Sequence, residues 1–306
     1  LCVIDLLLLG NGSMQPLPDR WLSSLLIRCG TELVLFDCGE GTQIVYRKFG
    51  WGFRKLSTII LSHIHADHVA GLPGILLCIA NAERTEPVAI FGPAGIRRVV
   101  EALRVLCPYL PFELHIHELA SGDQVSLPGG MRGSVVAGMH GEMPVLAWRF
   151  DLARRPRFDR DAAEALGVPQ TAWRQLQSGE AVAWNERVIE PEMVTGPTRP
   201  GISFGIITDT RPRETFADVM RGVDLLVCEA TYLDDVDLHK ALMFGHMTMD
   251  EACAIATDAG AKRLLLTHFS ATYEHPLDHA ERARACFPAT DLGFSGWTTT
   301  LSYPDE

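Results

Sequence analysis

Short apolar runs alternate with turn residues and amphipathic stretches along most of the chain. Residues 5–9, 21–28 and 31–36 read as three strands, the first closed by Gly10-Asn11-Gly12 and the next two turning about Cys29-Gly30. Residues 44–49 and 72–81 carry helical patterns, and the β-rich run Leu56-Ser57-Thr58-Ile59-Ile60-Leu61 lies between them. A strand at 87–91, a helix at 95–106 and a strand at 112–119 repeat the alternation. Further strands are expected at 133–138, 146–152, 202–207, 225–228 and 264–266, with a helix at 249–259 stopped by Gly260. Strands alternating with helices predict an α/β fold of packed layers.

The stretch 151–200 breaks this rhythm. Arg154, Arg155, Arg157 and Arg160 precede a short helical segment at 161–166, and Gly167-Val168-Pro169 opens a loop-rich run to Pro200. It is expected to be an insertion projecting from a single domain that spans 1–306.

Polar chemistry collects at strand ends. Directly after residues 56–61 comes Ser62-His63-Ile64-His65-Ala66-Asp67-His68. In an extended backbone His63 and His65 fall on one face. Asp67 and His68 follow where Gly71, Leu72, Pro73 and Gly74 suggest a turn into a helix, so they can point elsewhere. That arrangement suits two neighbouring metals better than one. His140, Asp209 and His268 stand at the ends of later expected strands, making seven candidate ligands with the first four. If Asp209 bridges, each metal has about four protein ligands and shares a water, and the nitrogen–oxygen donor set fits Zn²⁺ or a similar divalent ion.

Composition narrows the picture. A chain of 306 residues with 47% hydrophobic and 21% charged residues is ordinary for a soluble globular enzyme. Its longest apolar runs are too short to span a bilayer. Residues 1–9 lack the basic flank and cleavage site of a signal peptide, and a start at Leu1 rather than Met suggests trimming or missing residues upstream. Eight cysteines without a C-x-x-C pair read as the reduced core thiols of a cytoplasmic protein. The net charge of −11 argues against a surface-wide nucleic-acid binder and leaves room for a local basic site.

The H-x-H-x-D-H run with its later His, Asp and His resembles the metallo-β-lactamase superfamily, which implies an αβ/βα four-layer sandwich with a dinuclear site at its rim. Within that superfamily, Phe36-Asp37-Cys38-Gly39-Glu40-Gly41-Thr42-Gln43, Gly71-Leu72-Pro73-Gly74 and Leu266-Thr267-His268-Phe269-Ser270 resemble the ribonuclease Z family. So does Leu166-Gly167-Val168-Pro169 followed by Leu176 and Gly179, a pattern like the tRNA-clamping arm of the short form. The resemblance implies a zinc-dependent endoribonuclease that removes 3′ trailers from precursor tRNA, working as a homodimer in the cytoplasm. It implies two divalent metal ions, Zn²⁺ or else Mn²⁺. His63, His65 and His140 would bind one, Asp67, His68 and His268 the other, and Asp209 would bridge. Asp67 would also orient or deprotonate the attacking water. Glu229 and His246 match the family's pair that helps protonate the leaving 3′-oxygen.

The chain departs from the family pattern at Cys228, where a histidine usually precedes the glutamate, and at Thr272, where a basic residue is usual. The arm has Gln170-Thr171-Ala172-Trp173 in place of a Gly-Pro element, and an acidic Glu180. These departures and the acidic balance motivate an alternative: a same-fold hydrolase of a small phosphodiester or other ester. A non-catalytic RNA-binding protein is a third reading, but such a protein should have lost ligands, and all seven are present. His115 and His117 alternate on an expected strand and read as a solvated or packed face.

Overall fold

The structure, a computed structural model, describes residues 3–304. The chain divides into two compact units, one built from residues before 153 and from 202–302, the other from 153–201 with Tyr303 and Pro304.

The first unit begins with strands β1 (Val3–Gly10), β2 (Ser24–Cys29) and β3 (Glu32–Phe36), then helix α1 (Thr42–Phe49) and strand β4 (Leu56–Ile60). Helices α2 (Ala66–Val69) and α3 (Leu72–Asn81), strand β5 (Val88–Pro93), helix α4 (Ile96–Arg104) and strand β6 (Leu114–Leu119) follow. Strands β7 (Gln124–Ser126), β8 (Arg132–Ala137) and β9 (Leu146–Arg154) lead to the second unit. That unit holds α5 (Arg160–Ala165), α6 (Gln170–Gln177), β10 (Val182–Trp184) and β11 (Arg187–Ile189). The chain returns through β12 (Arg199–Ile207), α7 (Glu214–Val219), β13 (Leu225–Glu229), α8 (Leu238–Phe244) and α9 (Met249–Asp258). It closes with β14 (Leu264–Thr267), α10 (Ala280–Cys286), β15 (Thr290–Leu292) and β16 (Thr298–Ser302).

Two seven-stranded sheets result, ordered β16-β1-β2-β3-β4-β5-β6 and β15-β14-β13-β12-β9-β8-β7. From β3 to β6 and from β12 to β15 neighbouring strands run parallel, so their C-terminal ends lie on one side of each sheet. Period-two alternation sorts the side chains. Leu7, Leu9, Leu33 and Leu35 join Tyr46, Leu72, Ile75 and Val100 in a core between the first sheet and α1, α3 and α4. On the other sheet Ile207, Leu226 and Leu266 join Phe216, Ala252 and Ala256 under α7 and α9. Between the sheets, Phe36 meets Phe150 edge-on at 6.3 Å, Phe91 meets Trp148 at 6.5 Å, and Phe150 stacks on Phe204 at 4.5 Å. The architecture is therefore helix–sheet–sheet–helix, a metallo-β-lactamase sandwich.

The second unit has its own small core of Ala163, Val168, Leu176, Val182, Ile189 and Val194. Asp159 caps α5 by accepting from Ala162 N at 2.9 Å. Trp173 packs inward, its ring 5.3 Å from Phe158 and its Nε1 donating to Val168 O at 3.0 Å. The stretch expected to be loop-rich thus contains α6 and a hairpin. Its apolar positions are few because so small a core needs few of them.

The aromatic stack between the sheets is the part whose loss should be most general. Replacing Phe150 by Ala is expected to cost about 3–5 kcal/mol, measured by urea unfolding. A loss below about 1 kcal/mol would mean that the sheets do not depend on this ring.

Candidate metal centre

The parallel strands deliver polar side chains to one rim. After β4 the chain passes through His63 to His65, which is extended, then α2 turns Asp67 and His68 back toward the cluster. Asp209 follows β12, Glu229 ends β13 and His268 follows β14. The rim is stitched across the sheets: Phe269 N donates to Asn11 O at 2.8 Å, Ser13 N to Phe269 O at 3.1 Å, and Leu146 N to Ser62 O at 3.0 Å.

The seven side chains singled out by pattern come together in two overlapping sets. His63, His65, His140 and Asp209 form one, and Asp67, His68, Asp209 and His268 the other, with ligand atoms within 4.8 Å of one another in each set. In the first, His65 Nδ1 lies 3.2 Å from His140 Nε2, and His63 Nε2 lies 3.7 Å from Asp209 Oδ2. In the second, His68 Nε2 and His268 Nε2 are 3.3 Å apart, and each is 3.2 Å from Asp209 Oδ1. Asp67 Oδ2 is 3.6 Å from His68 Nε2 and 3.5 Å from His268 Nε2. Asp209 therefore offers one oxygen to each set.

A ring of outer contacts aims the imidazoles. Asp37 Oδ2 sits 2.8 Å from His68 Nδ1 and accepts from Ser62 Oγ, while its Oδ1 accepts from Ser62 N at 2.7 Å. Ser62 Oγ lies 3.0 Å from His63 Nδ1, Thr231 Oγ1 lies 2.9 Å from His268 Nδ1, and Gly245 O lies 3.1 Å from His140 Nδ1. Engaging Nδ1 from outside leaves Nε2 with its lone pair facing inward, the form a metal ligand needs. His65 is the exception, with Nδ1 turned inward. The sequence placed Asp37 in a distinctive block without assigning it this role, and its position just past a strand end, like the ligands, was the available signal.

The electrostatics fit cations at this rim. Burial pushes His63 well below the usual imidazole range, reinforced by the neighbouring His68. Burial opposes ionisation of Asp209, yet His268, His68 and His63 hold its carboxyl well below the ordinary value. His68 is fully buried, which disfavours its charge, but Asp209 and Asp37 raise its pKa well above normal. Among the described residues, His63 Nε2 is buried with no hydrogen-bond partner. Converging ring nitrogens and carboxylates of this kind suit divalent cations: five imidazoles and Asp67, with the Asp209 carboxylate shared between the two sets, match a nitrogen–oxygen donor site.

The backbone contributes too. Asp37, Asp209 and His268 have φ of 57°, 46° and 61°, a left-handed conformation that only a few per cent of non-glycine residues adopt. Each turns the chain sharply beyond a strand so that its side chain reaches the rim. Gly39 and Gly71 are needed for close approach: a Cβ at Gly39 would lie 2.4 Å from Asp67 O, and one at Gly71 would lie 2.1 Å from Gly39 O.

Beside the ligand sets, Glu229, His246 and His268 form a third cluster. His246 Nδ1 is 3.3 Å from Glu229 Oε2, and both residues are buried. Burial opposes the charge on His246, but the Glu229 carboxylate raises its pKa to about 9. Glu229 also accepts from Thr210 N, Thr231 Oγ1 and Met247 N. Cys228 points into the core, where burial pushes its thiol well up. Cys38 is likewise buried, and its thiol is held protonated. His115 is exposed near Glu113, and His117 stacks on Phe91 at 4.9 Å, so neither joins the cluster. A cleft of about 820 Å³ next to the rim is lined by Asn11, Arg20, Thr272 and Phe294, among others, and by none of the candidate ligands.

Residues 4–103 match the family described as "Anti-Pycsar protein Apyc1", and residues 193–269 the "Beta-lactamase superfamily domain". Full-length relatives decide the matter. A ribonuclease Z of Lachnospira eligens is 38% identical over 304 residues, covering 99% of this chain and 100% of its own. One from Clostridium beijerinckii is 39% identical over 308 residues, with the same coverage. The chain belongs to the ribonuclease Z family. Among solved structures it is similar to the short form of human tRNase Z, with 25% identity, a TM-score of 0.67, and coverage of 98% of this chain and 100% of that one. A metallo-β-lactamase fold protein of Bacillus subtilis, 18% identical, has a TM-score of 0.70 with coverage of 97% and 99%, and bears on the fold alone. The chain is thus an endoribonuclease of the metallo-β-lactamase fold, its His/Asp cluster fitting a divalent metal site. Among the described residues no helix is long and apolar enough to cross a membrane.

Asp37 gives a test that leaves every candidate ligand in place. Asp37→Asn removes the charge behind His68, and metal affinity is expected to fall about 10–100-fold, read by competition with a chelator and metal analysis. Undiminished affinity would show that His68 needs no such support.

Proposed function

We propose that the chain removes 3′ trailers from precursor tRNA with two zinc ions, and that it works as a homodimer in the cytoplasm. The observation that carries the reading is Asp209 shared between two ligand sets with the Glu229–His246 pair beside them. Support for the substrate comes from the relatives named ribonuclease Z and from the tRNase Z neighbour. The seven described cysteines are all free, in keeping with a reducing compartment.

His63, His65 and His140 would hold one ion, Asp67, His68 and His268 the other, with Asp209 between them. Such a pair supplies activation of water and neutralisation of charge on the phosphoryl oxygens. Asp67, whose Oδ2 accepts from Met14 N at 2.8 Å, would orient the attacking water and receive its proton. His246, kept cationic by Glu229, would deliver a proton to the departing 3′-oxygen. Glu229 stays anionic because His246 outweighs the cost of its burial. The second unit, with Arg154, Arg155, Arg157 and Arg160 along its leading edge, would grip the RNA through phosphates.

A small phosphodiester is the competing substrate, favoured by Thr272, which is exposed and makes its side-chain contact with Ser270 at 2.9 Å rather than offering a cation. Metal-loaded protein and a precursor tRNA with a 3′ trailer distinguish the two. Trailer release leaving a tRNA 3′-hydroxyl is expected, and replacing residues 155–198 by a short linker should abolish it while sparing bis(p-nitrophenyl) phosphate cleavage. No trailer release by the intact, metal-loaded protein would overturn the tRNA reading. His246→Ala should slow RNA cleavage about 10²–10⁴-fold, with a smaller loss on the activated diester, whose leaving group needs no proton.

A further inference from the structure

We infer that Arg211 is a positioning residue for the proton donor, setting the orientation of His246 through its backbone carbonyl. The inference rests on the reading of His246 given above. His246 lies in the short turn between α8 and α9, and that turn is anchored from several sides. Gly245 ends α8 in a left-handed conformation with φ 75°, His246 N donates to Ala241 O at 3.0 Å, and Met247 N donates to Glu229 Oε2 at 3.2 Å. These contacts fix the amides on either side of the ring. The carbonyl of His246 itself is held by Arg211, whose Nη1 donates to it at 2.5 Å.

The same guanidinium makes a forked ion pair with Glu251, Nη1 to Oε2 at 2.8 Å and Nη2 to Oε1. Glu251 is the capping-box residue of α9: Thr248 N donates to its carboxylate at 2.9 Å, and its own amide is capped by Thr248. One planar cation therefore ties the His246 peptide to the start of a buried helix. A lysine could not serve both partners in the same way, because it lacks the rigid fork.

The other end of Arg211 is fixed as tightly. Its amide donates to Met139 O at 2.8 Å, Met139 N donates to Thr210 Oγ1 at 2.6 Å, and Thr210 N donates to Glu229 Oε1. The run Asp209-Thr210-Arg211 thus places a shared carboxylate, the Glu229 partner of His246 and the His246 peptide from three successive residues. The Arg211 side chain is 18% exposed and Glu251 23%, so the pair is shielded but not sealed. Arg211 appears in no ligand set, and it acts on the reaction through His246.

The test uses full-length, metal-loaded protein with Arg211→Met, Arg211→Lys, Glu251→Gln, His246→Ala and the Arg211→Met/His246→Ala double variant. Precursor tRNA with a 3′ trailer and bis(p-nitrophenyl) phosphate are the substrates. Arg211→Met should lower kcat on RNA about 100-fold with little change in KM, the scale of a misplaced catalytic group. The ratio of RNA to activated-diester turnover should fall as it does for His246→Ala. Added to His246→Ala, Arg211→Met should cost less than about 3-fold more, since groups acting as a unit are not additive. Arg211→Lys should recover part of the loss. Glu251→Gln, which keeps the capping geometry, should reproduce a milder version and supplies the evidence if Arg211→Met does not fold. Independently of turnover, amide hydrogen exchange at residues 245–248 should quicken in Arg211→Met protein without metal.

Equal losses on both substrates, multiplying costs in the double variant, a rise in KM at constant kcat, or unchanged exchange at 245–248 would each overturn the inference. If His246→Ala itself leaves the substrate ratio unchanged, the fault lies with His246 as the acid rather than with Arg211 as its support.

Discussion

Asp209 is the group on which the rim depends. Four imidazoles lie within 4 Å of its two oxygens, His68 and His268 against Oδ1 and His63 and His246 against Oδ2, and Thr208 Oγ1 donates to Oδ1 at 2.6 Å. The carboxylate is almost wholly buried, so its charge would be expensive without cations nearby. Protons on the surrounding histidines can supply some of that compensation, but His63 is pressed toward neutrality by its own burial and by its neighbours. Divalent cations resolve the conflict, because they neutralise Asp209 while accepting lone pairs that otherwise face one another.

The fold exists in this form because two parallel halves bring their C-terminal strand edges to one place. Each edge alone could supply only part of the candidate ligands: His63, His65, Asp67 and His68 follow the first sheet's β4, while His140, Asp209 and His268 follow β8, β12 and β14 of the second. The joining hydrogen bonds between Asn11, Ser13 and Phe269 hold the halves in register within a few ångströms of the cluster. Left-handed residues at Asp37, Asp209 and His268 cost about 1–3 kcal/mol each in backbone strain, and the packed sheets beneath them absorb it. A rim built on rigid strands keeps its donors in place before any ion arrives.

Much of this was legible in the chain because the ligand types are rare and sit just beyond apolar strands. The alternation of strands and helices through residue 119, the later strands and the seven side chains that the structure brings together could all be read directly. What escaped had physical reasons. Strand β16, Thr-Thr-Thr-Leu-Ser, buries only Leu301 and pairs along an edge of the sheet, so it shows no apolar period. Helix α8 leaves Leu242, Met243 and Phe244 exposed, which blurs the amphipathic signal. Asp37, Thr231 and Arg211 act through contacts spanning 31, 37 and 35 residues of sequence, and no local pattern encodes such pairings. The stretch after residue 167, expected to be loop-rich, also holds α6 and a hairpin, which stayed hidden because a core as small as Val168, Leu176 and Val182 leaves little periodicity to see.

Chemistry and substrate choice are written in different kinds of residue. The chemistry belongs to buried groups, where one lost donor leaves an uncompensated charge and the chain has little freedom to drift. Substrate grip belongs to exposed cations, where each change removes one phosphate contact and some salt-dependent affinity without touching the fold. Thr272 and Glu180 are changes of that second kind: both are exposed, and neither disturbs a ligand. An overall charge of −11 opposes the approach of RNA at long range. Productive encounter must then be steered by a local positive field, and the arginines opening the second unit form the densest run of like cations in the sequence. On the function proposed above, recognition would fall to that unit more than to the rim, and the rim would keep the groups that break the bond.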